Sequence, residues 1–146
     1  MVNRRQTLMR SISRARGAWT NHVREIALAE GIPDSYRTVL MYLLRHPGAS
    51  QRNIAEFAGI TTSAVNQTVR SMQEEDYLRK ETDLSDKRNS RLFLTEKGSA
   101  IAIRVYEKLD AADDAITAML GAEREAELIT LLEQLTDYIR KELDQC

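Results

Sequence analysis

The spacing of apolar residues changes twice between Gln51 and Gly98, and few folds accommodate both changes. Up to Met72 the apolar positions recur every three or four residues, as on a helix. From Tyr77 they alternate, as on strands, and from Thr95 the helical spacing returns. The stretch Thr61 to Tyr77 reads as a helix of about four turns. Thr61 suits its N-cap, with a hydroxyl that can accept the backbone N–H of Ala64. Val65, Val69 and Met72 form a narrow apolar seam. The opposite face presents Thr62, Ser63, Asn66, Gln67 and Arg70, side chains that can read base edges and grip phosphates. A plain surface helix would show the same seam, but its outer face would more often carry Glu and Lys. Tyr77–Thr82 and Arg91–Thr95 then read as two short strands, with Leu78, Leu92 and Leu94 as apolar positions. The polar segment between them has Lys87 and Arg88 near its tip. A hairpin directly after such a helix is a wing, placed to reach a neighbouring groove.

What precedes this stretch fits a helix-turn-helix. Ser50 is positioned to cap a short helix, Gln51 to Ala58, with Ile54, Ala55 and Phe57 available to a core. Ala55, Gly59 and Val65 have the spacing that two helices meeting through a tight turn require. A small residue allows close approach, a glycine takes the turn, and a branched apolar residue packs across it. Ile54 and Ile60 are expected to support the turn from either side. An earlier helix, from about Asp34 or Ser35 to Arg45, points Tyr36, Val39, Leu40 and Leu43 inward and stops at His46-Pro47-Gly48.

Three further helical stretches remain. Leu8, Ile12, Ala15, Trp19, Val23 and Ile26 form a stripe that Gly31 closes. Ala102, Val105, Leu109, Ala112, Ile116 and Met119 form a second, capped by Thr95. Leu128, Leu131, Leu132, Leu135, Tyr138, Ile139 and Leu143 form a third. A winged core already buries its own face, so these stripes need a partner surface, and the simplest is a second copy of the chain.

Charge agrees with a divided molecule. Net charge is −1, yet residues 1–94 hold 15 Lys+Arg against 10 Asp+Glu, whereas residues 95–146 hold 6 against 12. A basic part suits a polyanion and an acidic part suits something else. Arg4, Arg5, Arg10, Arg14 and Arg16 crowd the start of the first helix, where phosphates, a partner's acids or plain solvent would all suit them. No apolar run approaches a membrane span, and the first residues lead into no apolar signal core, so a cytoplasmic protein without membrane contact is expected. Cys146 has no second cysteine to pair with in its own chain. His22 and His46 have no companion at metal-ligand spacing, and no nucleophile, base and oxyanion set converges, so neither enzyme activity nor a cofactor is expected.

Here the sequence resembles the MarR family of bacterial transcription regulators. The resemblance rests on Asp86-Lys87-Arg88-Asn89-Ser90-Arg91-Leu92-Phe93-Leu94-Thr95-Glu96-Lys97-Gly98. That run follows the family pattern Asp-x-Arg, then alternating apolar strand positions, then Thr-x-x-Gly. It implies a mostly α fold with a small β-hairpin wing. Residues 32–94 would form a winged helix-turn-helix, and residues 1–31 and 95–146 a helical dimerisation region. It further implies a homodimer on a palindromic site in double-stranded DNA, with Arg88 in the minor groove and Asp86 orienting it. A repressor is the expected role. Asp76 departs from the usual glycine, although aspartate tolerates a left-handed backbone better than most residues. Met72 replaces a usual leucine.

The expected DNA contacts are therefore Thr61, Thr62, Ser63, Asn66, Gln67, Arg70, Asp86, Lys87, Arg88 and Arg91. The resemblance also implies release of DNA by a small aromatic effector. Trp19, His22, Tyr36 and Tyr106 are the candidate lining, though Trp19 and Tyr36 at helical apolar positions also suit simple core. The competing expectation is a winged-helix module that binds protein without specific DNA binding.

Overall fold

A computed structural model describes residues 4–82, 84–85 and 90–143. The element order is α1 (Arg4–Ala29), α2 (Asp34–Arg45), α3 (Gln51–Ala58), α4 (Thr62–Glu74), β1 (Leu78–Thr82), β2 (Ser90–Leu94), α5 (Glu96–Leu120) and α6 (Ala122–Tyr138), continued by a π-helical turn Ile139–Leu143. Packing groups the chain into two compact units, residues 1–109 and 110–146. Among the described residues no helix is long and apolar enough to cross a membrane.

The first unit has one core. Tyr36, Val39, Leu40 and Leu43 of α2 meet Ile54 and Ala55 of α3, and Val65, Val69 and Met72 of α4. Leu78 and Leu92 enter from the hairpin, Ile26 and Ala27 from α1, and Ile101, Ala102 and Val105 from α5. The ends of α1 and α5 nearest the winged helix thus share its core.

Capping sets the helix starts. Ser50 Oγ accepts the Asn53 N–H at 3.1 Å while Asn53 Oδ1 accepts the Ser50 N–H at 3.0 Å, a reciprocal box that closes the start of α3. Thr61 Oγ1 accepts the Ala64 N–H at 3.2 Å and starts α4. Between them Gly59 takes the left-handed conformation, φ 65° and ψ 32°, that turns α3 into α4.

Four local expectations need correction. Phe57 is 66% exposed, lying on the Tyr42 ring at the surface with 4.9 Å between centroids. Ile60 is 49% exposed, because its backbone N–H folds back to the Ala55 carbonyl and the side chain leaves the core. The helix expected to reach Tyr77 stops at Glu74, and Tyr77 belongs to the turn beyond it. The strands run Leu78–Thr82 and Ser90–Leu94, paired antiparallel with Leu78 opposite Leu94 and Lys80 opposite Leu92.

The turn after α4 is stitched to the start of α5. Asp76 holds φ 62°, the only non-glycine with positive φ among the described residues. Thr95 Oγ1 donates to the Asp76 carbonyl at 2.6 Å and accepts the Gly98 N–H at 3.1 Å. The Thr95 N–H donates to the Tyr77 carbonyl at 3.1 Å. Lys97 Nζ donates to the Glu75 carbonyl at 2.6 Å and lies 4.2 Å from the centre of the Tyr77 ring. The Thr-x-x-Gly run is therefore a clasp: the threonine caps α5 and ties down the preceding turn with one side chain.

Glu30 makes a second clasp. Its carboxylate, 10% exposed, pairs with Arg104 at 2.8 Å and Lys108 at 2.5 Å, joining the end of α1 to α5. Hydrogen bonds from Arg104 and then Lys108 hold its pKa below the ordinary carboxylate value. A depressed folded-state pKa stabilises the fold above the unfolded value, and that contribution is lost as pH falls through the folded value. Glu30→Gln is expected to lower stability by about 1 kcal/mol at pH 7, because both cationic partners are half exposed. Denaturant unfolding at pH 7 and again near pH 3 checks this, and the gap between wild type and variant should close at the lower pH.

The second unit contains the remainder of α5 and all of α6, separated by Gly121 at φ 82°. Thr117 Oγ1 donates to Glu125 Oε1 at 2.7 Å across the turn. None of its described residues is buried, and Met119, Ile129, Leu131 and Tyr138 are each more than half exposed.

Candidate nucleic-acid interface

The helix caps, the turn at Gly59 and the hairpin register bring polar side chains from three elements into one cleft of about 480 Å³. It is lined by Ser50, Gln51 and Arg52 at the start of α3, Thr62, Ser63 and Asn66 of α4, and Lys80 and Ser90 of the hairpin. Lys80 arrives there because strand side chains alternate. Leu78 and Lys80 share a face of β1; Leu78 enters the core, and Lys80, one step further out, reaches the cleft mouth. The hairpin is held against the α2–α3 connection by Gly48 N–H to the Leu92 carbonyl at 2.8 Å and Leu92 N–H to the Ala49 carbonyl at 3.0 Å.

Of the expected DNA contacts, Thr61, Thr62, Ser63, Asn66, Gln67 and Arg70 are all exposed along α4 or at its cap. Thr61 Oγ1 is engaged by the cap. Thr62, Ser63 and Asn66 face the cleft, whereas Gln67 lines a separate groove with Ser35, Tyr36, Ala64, Thr68 and Ser71. Arg91 is exposed on β2 opposite Glu81. Asp86, Lys87 and Arg88 lie outside the described residues, as does Cys146.

Five cleft residues are not among the expected DNA contacts: Ser50, Gln51, Arg52, Lys80 and Ser90. Ser50 was recognised only as a cap. Lys80 could have been found by extending the strand alternation outward from Leu78. Arg52 is an exposed cation paired with Glu56 at 2.8 Å, one turn away on the same helix. Such a pair is weak in water and exchanges readily for a phosphate partner. Arg79, by contrast, is engaged on the outer hairpin face by Glu81 at 3.0 Å and by the Phe93 ring at 4.9 Å.

Of the four expected effector residues, Trp19 and Tyr36 border different clefts among the described residues. Trp19 borders a cleft of about 180 Å³ with Thr20, Val23, Arg37 and Leu109. His22 is exposed, with its ring 6.1 Å from that of Trp19. Tyr106 is 40% exposed under the Arg45 guanidinium. Tyr36 is 5% exposed; its ring meets Tyr77 edge-on and its hydroxyl donates to Glu75 Oε1 at 2.5 Å. Burial first, and then that hydrogen bond to a carboxylate, push the Tyr36 hydroxyl up to about 12. Arg37, which the sequence reading passed over, is the cation at the Trp19 cleft, with its Nε 2.7 Å from Asp34. Among the described residues no group of His, Cys, Asp and Glu could hold a metal ion.

The sequence pattern of the MarR family matches residues 30–89, from the end of α1 into the hairpin. The HTH-type transcriptional repressor Rv2887 of Mycobacterium tuberculosis is 30% identical over 96 residues, covering 66% of this chain and 69% of that one. The chain belongs to the MarR family. Among solved structures, the MarR family transcription regulator SP03579 superposes with a TM-score of 0.87 at 17% identity, covering 98% of this chain and 97% of that one. The Staphylococcus aureus MepR–DNA complex gives 0.75 at 19% identity, over 92% of this chain and 96% of that one. MarR family proteins are transcription regulators and not enzymes, and this MarR protein is a transcriptional regulator with their winged-helix fold.

Proposed function

We propose that this MarR protein is a cytoplasmic repressor that binds a palindromic operator in double-stranded DNA as a homodimer. The observation that carries the reading is the cleft at the paired starts of α3 and α4. Hydroxyls, amides and two cations converge there beside the exposed polar face of α4. In the proposed complex α4 enters the major groove and Asn66 and Gln67 address base edges. Arg52, Arg70 and Lys80 neutralise phosphates, and the hairpin tip, with Arg88 oriented by Asp86, reaches the adjacent minor groove. The exposed apolar residues of α1, α5 and α6 provide the surface for the second copy. The Trp19 cleft, with Val23 and Leu109 as apolar walls and Arg37 as a cation, suits a small aromatic acid as releasing effector.

Fragments recovered from the source genome provide the duplex for the test. Specific affinity is expected to fall steeply with salt, and Arg52→Ala and Lys80→Ala should each flatten the salt slope by about 1. Gln67→Ala should change the preferred sequence rather than weaken all sequences alike. Salt-independent binding, or recovery of no discrete fragment, would replace this reading with the protein-binding module.

A further inference from the structure

The end of α4 carries an acid where an acid is doubly unfavourable. Glu75 sits at the C-cap, at the negative end of the helix dipole. It also sits on the helix proposed to approach a polyanion. Its side chain nevertheless has a definite partner: Oε1 accepts the Tyr36 hydroxyl at 2.5 Å. Tyr36 belongs to the first turn of α2 and reaches Glu75 independently of the clasp at Thr95 and Lys97, which comes from the start of α5. A phenylalanine would supply the same ring, buried to 5% exposure and edge-on to Tyr77 at 5.7 Å. The hydroxyl is what the packing does not require.

We infer that Tyr36 is a positioning residue for DNA binding, and that its bond to Glu75 holds the C-terminal end of α4 in the orientation that its base-reading face needs. The inference rests on the DNA-binding reading above. From the α5 side, the turn after α4 is hydrogen-bonded at its backbone carbonyls, Glu75 by Lys97, Asp76 by Thr95 Oγ1 and Tyr77 by the Thr95 N–H, with the Lys97 ammonium also over the Tyr77 ring. Those bonds restrain where the chain leaves the helix. Tyr36 grips the helix cap by a side chain from α2 and so opposes rotation of α4 about that exit. A helix of 13 residues is about 20 Å long, so a tilt at Glu75 displaces Thr62 and Asn66 at the far end. Hydrogen bonds to base edges tolerate shifts of only a few tenths of an ångström. The same turn of α2 carries Arg37 into the Trp19 cleft, so the residue next to the latch borders that cleft.

The test uses the full chain and the recovered operator duplex, with Tyr36→Phe, Glu75→Ala, Glu75→Gln and the double variant Tyr36→Phe/Glu75→Ala. Affinity and its salt slope are measured well below the thermal midpoint of each variant. Tyr36→Phe and Glu75→Ala should each weaken specific binding roughly three- to tenfold, a fraction of the worth of one hydrogen bond to a charged group. The salt slope should be unchanged, since no phosphate contact is removed. The double variant should bind no worse than the weaker single, because both remove one bond. Glu75→Gln keeps an acceptor for the hydroxyl and should stay within about twofold of wild type. Wild-type affinity in Tyr36→Phe, or losses that multiply in the double variant, would overturn the inference and leave the DNA reading intact. Tighter binding in both Glu75 variants would also overturn it, since Glu75 would then be only a repelling charge. A wild-type protein that binds no duplex DNA would sink both. Should Tyr36→Phe fail to fold, Glu75→Ala, at an exposed position, reads the same bond.

Discussion

Gly98→Ala is expected to cost about 3 kcal/mol or more, enough to lower the midpoint of thermal unfolding by roughly 6–12 °C in a chain of this size. Helix propensity alone predicts the opposite, since alanine in a helix interior is favoured over glycine by about 1 kcal/mol. The sign is decided by what a methyl group at this position would meet. A Cβ built on Gly98 falls 1.9 Å from the carbonyl oxygen of Tyr77 and 2.9 Å from its carbonyl carbon. These are backbone atoms and cannot rotate away. The same carbonyl accepts the Thr95 N–H, so moving it also loosens the clasp between the α4 turn and α5. Urea unfolding of wild type and variant gives the difference directly. A variant as stable as wild type would mean that the turn can withdraw from α5, and that the clasp holds it less firmly than its hydrogen bonds indicate.

That glycine shows how the sequence carried the fold. Thr95 was legible as a cap because a hydroxyl three residues before a free N–H is a local relation. Gly98 was legible only through the family pattern, because its reason lies 21 residues back at Tyr77. The helix starts at Ser50 and Thr61 and the turn at Gly59 were local and were readable, whereas the left-handed backbone at Asp76 was legible only through the family pattern. Phe57 and Ile60 were misread for the opposite reason. Their spacing is compatible with a core, and only the tertiary contacts show that Tyr42 draws Phe57 to the surface and that the turn directs Ile60 outward.

The candidate site divides in the same way. The outward face of α4 follows from helical period and could be named residue by residue. Its neighbours could not, because Arg52 and Lys80 reach the cleft through the α3–α4 turn and the strand register. Tyr36 illustrates the limit most plainly. An aromatic with a polar tip reads equally well as a ligand wall or as core, and the partner that distinguishes them, Glu75, is 39 residues away. In the fold the hydroxyl is committed to Glu75, and Arg37 rather than Tyr36 borders the cleft with Trp19.

Leu92→Ala should destabilise the protein by about 3 kcal/mol and, in addition, release the hairpin. Leu92 is fully buried, and leucine-to-alanine changes at such sites cost about 2.7–5 kcal/mol through lost transfer energy and the cavity left behind. Its position gives that loss a direction. Leu92 is the one residue of β2 that is buried; its backbone exchanges hydrogen bonds with Gly48 and Ala49, and its strand partner is Lys80. Without the leucine side chain, the two backbone bonds remain but lose the apolar packing that shields them from water. Lys80 and Ser90 would then no longer be held at the cleft mouth, so operator affinity should fall by more than the small unfolded fraction explains. Hydrogen exchange separates the two effects. Amides of Leu78–Thr82 should exchange much faster in the variant, while Val39–Leu43 in α2 should change only by the global loss of stability. Equal acceleration in both elements would mean that the hairpin has no local opening of its own. Any drop in DNA affinity would then follow from global stability alone, and the wing would be as rigid as the core that carries it.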